Sequence, residues 1–192
     1  MNLKNSKEAI LNEALNTFGR LGFQKTTMAD IAEASKRGRR TIYTYFKNKE
    51  EVYEAVIERE INRMIDKLKL EIDSTESVNE KLLNYLNSRI RAIIELTNNY
   101  DALRTAFLSN YKWVEKIRQT LDKEESKILT KLLKLGKTEQ VFIVDDLNTS
   151  VKNITLIIKG IEYMLIKENN EETTILHIKN IQQLLLKGLL KQ

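Results

Sequence analysis

Apolar side chains recur at three- and four-residue intervals along most of this chain, the spacing of helices that bury one face. Ile10, Leu11, Ala14, Leu15 and Phe18 form the first stripe, with Asn5 and Glu8 placed to cap its start and Gly19 or Gly22 to end it. Phe23, in the connection, is expected to pack inward. Thr27 with Asp30 makes a capping pair for a short helix to about Ala34, with Met28, Ile31 and Ala32 facing in. Gly38 is expected to supply a positive φ in the following turn. Arg39 to Phe46 then makes two helical turns, with Ile42 and Phe46 four apart on the buried side. Asn48 with Glu51 caps a longer helix whose apolar positions are Val52, Val56, Ile57, Ile61, Met64, Ile65 and Leu68.

The rest of the chain also reads as helices. Ser77 with Glu80 opens one to about Leu96, and Asp101 starts another to about Tyr111. A third runs from about Lys112 to Leu135 and stops at Gly136. Thr138 to Val144 is β-branched but has no partner segment, so it reads as a loop packing Val141 and Ile143. Asp145 caps a helix to about Lys167, and a last one ends near Leu190. The expected fold is all-α with about nine helices. A helix-turn-helix domain over residues 1–50 is followed by a larger helical domain over 51–192, and the two share the fourth helix, about 49–70.

Composition supports this. The 192 residues include no Pro, no Cys and six Gly, too little punctuation for a sandwich or barrel of short strands. Without Cys there is neither a disulfide framework nor a thiolate metal site. The opening residues lack the apolar stretch of a signal peptide, and no run approaches the roughly 18 apolar residues of a membrane span, so a cytoplasmic protein with no membrane partner is expected.

Charge changes the picture more. Residues 1–50 hold ten Lys/Arg against five Asp/Glu, whereas residues 51–192 hold 22 of each, so the whole excess of +5 sits in the first quarter. Residues 34–49 carry six basic side chains and no acid. A polyanion partner and a solvated basic loop both account for such a patch. The helix pattern narrows the choice. Arg39, Arg40, Thr41, Tyr43, Thr44 and Tyr45 lie away from the Ile42–Phe46 stripe, which is how a helix-turn-helix offers its second helix to a major groove. Arg pairs bidentately with guanine, Thr meets a base or a thymine methyl, and Tyr and Lys reach phosphates.

Thr26-Thr27-Met28-Ala29-Asp30-Ile31-Ala32, followed by Thr41-Ile42-Tyr43-Thr44-Tyr45-Phe46-Lys47-Asn48-Lys49-Glu50-Glu51-Val52, resembles the N-terminal domain of the TetR/AcrR family of bacterial transcriptional regulators. The resembling stretch runs from about Lys7 to Ile57. The resemblance implies that Thr27 touches phosphate, that Arg39, Arg40, Thr41 and Tyr43 face DNA, that Tyr45 lies on the backbone, and that Lys49 holds a phosphate. Lys36, Arg37 and Thr44 complete the candidate DNA-binding set. In the turn, this chain has Ser35-Lys36-Arg37-Gly38 where members commonly have Ala-Gly-Val-Ser.

The resemblance also implies a repressor that leaves a palindromic double-stranded operator when a small-molecule effector binds the second domain. Tyr85, Arg89, Tyr100, Arg104, Phe107, Tyr111, Trp113 and Met164 are the candidate pocket residues, with His177, the sole His, read as a surface or core residue. Surface salt bridges with Glu80 or Asp101 are the simpler expectation for Arg89 and Arg104. The last two helices carry apolar residues on more than one stripe, and family members pair these helices across a twofold axis. Ile154, Ile158, Ile161, Leu165, Ile178, Ile181, Leu185 and Leu189 are the residues expected at a homodimer interface. An enzyme finds little support: one His, no Cys nucleophile, no metal-binding helix and no Gly-rich phosphate cradle, hence no catalytic residue, metal or cofactor. A helical protein- or membrane-surface-binding module that uses the basic patch without reading DNA sequence is the alternative.

Overall fold

A computed structural model of the protein describes residues 3–72, 77–99, 104, 112–168 and 171–189. These residues form the helices α1 (Leu3–Leu21), α2 (Met28–Ala34), α3 (Arg39–Tyr45), α4 (Lys49–Ile72), α5 (Val78–Asn99), α6 (Lys112–Thr138), α7 (Leu147–Glu168) and α8 (Glu171–Leu189), with no β-strand among them. The expected helix from Asp101 lies outside the described residues, Arg104 apart. The chain divides into two compact units, Met1–Asn62 with Leu96–Ile117, and Arg63–Glu95 with Arg118–Gln192. The helix α4 is continuous through the boundary at Asn62.

In the first unit, α1 packs on α2 and α2 on α3. The helix α1 starts at Leu3, two residues before Asn5. It passes through Gly19 and ends before Gly22, whose φ of +76° lets its N–H reach the Phe18 carbonyl at 2.9 Å. Ile10, Ala14, Ile31, Ile42, Val52 and Val56 are fully buried. Around them Phe18, Phe23 and Tyr53 form an aromatic cluster, with Tyr53 4.9 Å from Phe18 edge-on and 4.6 Å from Phe23. Each such pair adds roughly 0.5–1.5 kcal/mol beyond area burial.

In the second unit, α6 does not stop at Gly136 but runs on to Thr138. The glycine serves packing: a Cβ there would lie 2.0 Å from the Phe142 ring. The loop after α6 is turned one residue from expectation. Phe142 and Val144 are buried, Val141 is half-buried, and Ile143 is exposed, its N–H donated to the Leu189 carbonyl at 2.6 Å. Asp146 and not Asp145 caps α7, accepting the Thr149 N–H at 2.5 Å. This backbone bond, and a second from the Thr149 side chain, hold the Asp146 carboxyl below its usual range. Among the described residues, no helix is long and apolar enough to cross a membrane.

Candidate nucleic-acid interface

The segment from Thr27 to Asn48 builds the candidate surface. Thr27 caps α2 as expected: its hydroxyl accepts the Asp30 N–H at 3.2 Å, and Asp30 Oδ2 accepts the Thr27 N–H at 2.8 Å. The Thr27 hydroxyl also donates to Asp30 at 2.7 Å. These side-chain and backbone bonds from Thr27 hold the Asp30 carboxyl below its usual range. With both donors of Thr27 committed to Asp30, a phosphate finds none free on this residue.

The turn after α2 departs from the sequence expectation. Gly38 has φ −63° and caps α3 without a side-chain bond. The left-handed residue is Lys36, at φ +50°. Its N–H donates to the Glu33 carbonyl and the Arg37 N–H to the Ala32 carbonyl, both at 3.0 Å, which is the paired pattern that ends helices at a residue of positive φ. Ser35 Oγ donates to the carbonyls of Ile31 and Ala32. The position that the family commonly fills with glycine is thus the one that needs its freedom, and a lysine occupies it here.

Seven residues are too few for a helix to stand alone in water. The helix α3 is held by Ile42, fully buried, and by Phe46, which closes it with an N–H to the Ile42 carbonyl. With those two residues inward, Arg39, Arg40, Tyr43 and Thr44 are exposed, as is Lys36, while Arg37, Thr41 and Tyr45 are half-buried. Tyr43 is 54% exposed, unusual for a tyrosine without a partner surface. Thr44 donates its hydroxyl to the Thr41 carbonyl at 2.6 Å, leaving its oxygen and methyl outward. Arg37 Nε is buried with no acceptor among the described residues. Lys49 has a structural part that the sequence did not disclose. Its Nζ donates to the carbonyls of Phe23 and Gln24, both at 3.0 Å, and lies 4.7 Å above the Phe23 ring. An ammonium has three donors, so one remains.

Residues 10–56 match the family model described as bacterial regulatory proteins, tetR family. Over that stretch the chain is similar to the TetR family. It is 24% identical to the transcriptional regulator QacR of Staphylococcus aureus, over 97% of this chain and all of QacR. It is 26% identical to the transcriptional regulator YhgD of Bacillus subtilis over 65% of this chain, a match that spans 63% of YhgD, less than two thirds of that protein. Its fold is shared, with a TM-score of 0.69 at 20% identity, by the transcriptional regulator FadR of Bacillus subtilis in complex with stearoyl-CoA, over 94% of this chain and 98% of that one.

The second unit contains a buried charge cluster. Arg89, 1% exposed, donates Nε to Glu125 and Nη2 to Glu162 at 2.8 Å, and the Tyr85 hydroxyl donates to Glu125 at 3.2 Å. The cluster joins α5, α6 and α7. Burial opposes the charge on Arg89, but the two carboxylates outweigh it and hold the guanidinium firmly protonated. Burial, then the Glu125 charge, pushes the Tyr85 hydroxyl well above its usual range. Two carboxylates face one guanidinium, and Arg89 Nη1 and Glu125 Oε2 are buried without a partner among the described residues. The surface salt bridges expected for Arg89 are therefore replaced by internal ones. The partners lie 36 and 73 residues away in sequence, beyond any local pattern.

Of the other candidate pocket residues, Met164 is exposed and so lies outside this cluster. Arg104 is half-buried in the first unit. Tyr100, Phe107 and Tyr111 lie outside the described residues, as do the side chains of Trp113 and His177. No group of His, Asp and Glu among the described residues is arranged to hold a metal ion.

The residues expected at the dimer interface need correction. Ile154, Ile158, Leu165 and Ile178 are buried chiefly by this chain itself, and Ile161, Ile181, Leu185 and Leu189 are half-buried. The helices α7 and α8 pack on each other, and their strongest apolar stripes are used there and in the unit's own core. Among the described residues, the large apolar side chains left outside are Leu156, Tyr163 and Met164 on α7 and Leu176 and Leu184 on α8. They stand off the main stripe, which is why periodicity passed them over.

Proposed function

We propose that this protein is a sequence-specific DNA-binding transcriptional regulator, a repressor that works as a homodimer on a palindromic operator and leaves it when a small-molecule effector binds. The observation that carries the reading is the division of α3, with Ile42 and Phe46 inward and Arg39, Arg40, Tyr43 and Thr44 outward. Arg39, Arg40 and Thr41 read base edges, while Lys36, Arg37, Tyr43, Tyr45 and the remaining donor of Lys49 position the backbone. Residues 1–50 form the DNA-contacting part and residues 51–192 the effector and dimerisation part, in a cytoplasmic protein.

Pairing through the exposed apolar residues of α7 and α8 gives two recognition helices, which meet half-sites about one helical turn apart. An effector seated in the second unit shifts DNA affinity only as far as it prefers one of two arrangements of the chain. The stearoyl-CoA held by Bacillus subtilis FadR makes such an effector reasonable here.

The test is selection of bound duplexes from a random DNA pool, followed by fluorescence anisotropy on the winner. The reading predicts a palindrome favoured over random DNA by about 4–10 kcal/mol. Arg40→Ala should flatten sequence preference, and Lys49→Ala should weaken all duplexes alike. A protein that enriches no sequence, and whose affinity follows salt alone, refutes it.

A further inference from the structure

A groove of about 320 Å³ runs between α4 and α6 in the second unit. Ile72, Ile128 and Leu132, all buried, form its floor. Lys69, Lys127 and Lys131, all exposed, form its rim, with Glu124 half-buried among them. Three ammoniums against one carboxylate leave the groove at +2, although residues 51–192 as a whole hold 22 charges of each sign.

Helix stability does not ask for this arrangement. Lys123, Lys127 and Lys131 follow one another at four-residue spacing, where like charges weaken a helix. The helix dipole favours cations only within the last turn. Lys137 already stands there, its ammonium donating to the Val144 carbonyl at 2.6 Å, whereas Lys127 and Lys131 lie before it. The chain itself shows what suits the rim. Glu124 accepts from Lys69 Nζ at 3.0 Å and from Lys127 Nζ at 2.6 Å. Those bonds, the one from Lys127 foremost, hold its carboxyl below the usual range. A carboxylate is therefore already held at the groove's edge, and the bridge uses one of the three donors of each ammonium. The volume lies at the small end of the roughly 300–1,000 Å³ of ligand sites, which suits a short body and not a long chain.

We propose that this groove binds a small organic carboxylate with an apolar body, such as an aromatic acid. The anion meets Lys127 and Lys131, and the body lies on Ile72, Ile128 and Leu132. None of these residues belongs to the Arg89 cluster, and the inference stands whether or not the chain reads DNA, because occupancy is measured directly. The experiment is a ¹⁹F NMR titration of the full chain with 4-fluorobenzoate and, as the neutral control, 4-fluorobenzyl alcohol. The acid should bind saturably, and the alcohol about 10-fold more weakly or less. Lys127→Met and Lys131→Met keep the apolar stems and lose the charge, and each should weaken the acid about 3-fold or more. Glu124→Gln removes the resident anion and should tighten the acid about 3-fold, a gain that misfolding cannot produce. Absence of saturable binding overturns the inference. So does equal affinity for acid and alcohol, or an affinity that Lys131→Met and Glu124→Gln leave unchanged.

Discussion

Lys36 holds a left-handed backbone conformation in the middle of a basic surface, and the two properties can be separated by substitution. An L-residue in that conformation carries about 1–2 kcal/mol of steric strain that glycine escapes. Glycine gives back about 0.4–1 kcal/mol through the greater freedom of its unfolded chain. With φ at +50°, Lys36→Gly should therefore be more stable than Lys36→Ala by about 0.5–1 kcal/mol, or about 2 °C in Tm for a chain of this size. Both variants lose the charge. If Lys36 neutralises a phosphate, each should lower the slope of log affinity against log salt by about 0.9 for each protomer bound. Urea titration measures the first quantity and anisotropy over a salt series the second. Equal stability of the two variants refutes the strain at this turn, and an unchanged slope in both refutes the phosphate contact. The combination predicted, a sturdier protein that grips DNA less well, is the signature of a residue retained for its charge at a site shaped for glycine.

Arg89→Met should cost about 3–5 kcal/mol in urea titration at neutral pH, because Glu125 and Glu162 stay buried without a counter-charge. Arg89→Met with Glu125→Gln and Glu162→Gln should recover part of the loss, and a triple variant no more stable than the single one would refute the stranded-carboxylate account. Gly136→Ala should destabilise by about 1–3 kcal/mol despite alanine's better helix propensity, since the Phe142 ring is itself buried and has little room to retreat. Gly136→Ala with Phe142→Leu should recover part of it, and a double variant no better than the single one would show that the ring is not the obstacle. Asp30, held below its usual pKa by Thr27, contributes stability above the ordinary carboxylate pKa, which is lost as pH falls through its lower folded value. Asp30→Asn should remove that part of the acid sensitivity, read as a flatter urea midpoint below about pH 4, and an unaltered profile would count against the capping bond.

The parts of this molecule legible in its sequence are those fixed by neighbours in the chain. The pairing of Thr27 with Asp30, the inward Ile42 and Phe46, and the buried stripe of α4 each depend on residues three or four apart, and all stand as read. The reading differs from the structure where residue type alone misleads and where contacts beyond the local turn decide. Gly38 looked like the residue of positive φ because it is a glycine, but the bonds from Lys36 and Arg37 back to Glu33 and Ala32 place the left-handed step two residues earlier. Gly136 looked like a stop because the ring that excuses it, Phe142, belongs to the following loop. Periodicity marked Ile154 and Ile178 as buried but could not say by what, and the chain's own core turned out to cover them. Nothing local tied Arg89 to Glu125 and Glu162.

The helix α3 is anchored by Ile42, its one buried residue, with Phe46 just beyond its end. Arg39, Arg40 and Tyr43 stand outside that anchor and are exposed. Substitutions at these three positions leave Ile42 and Phe46 in place, so the outer face can change its chemistry while the scaffold keeps its melting point. Divergence of that face is thereby uncoupled from the hazard of unfolding.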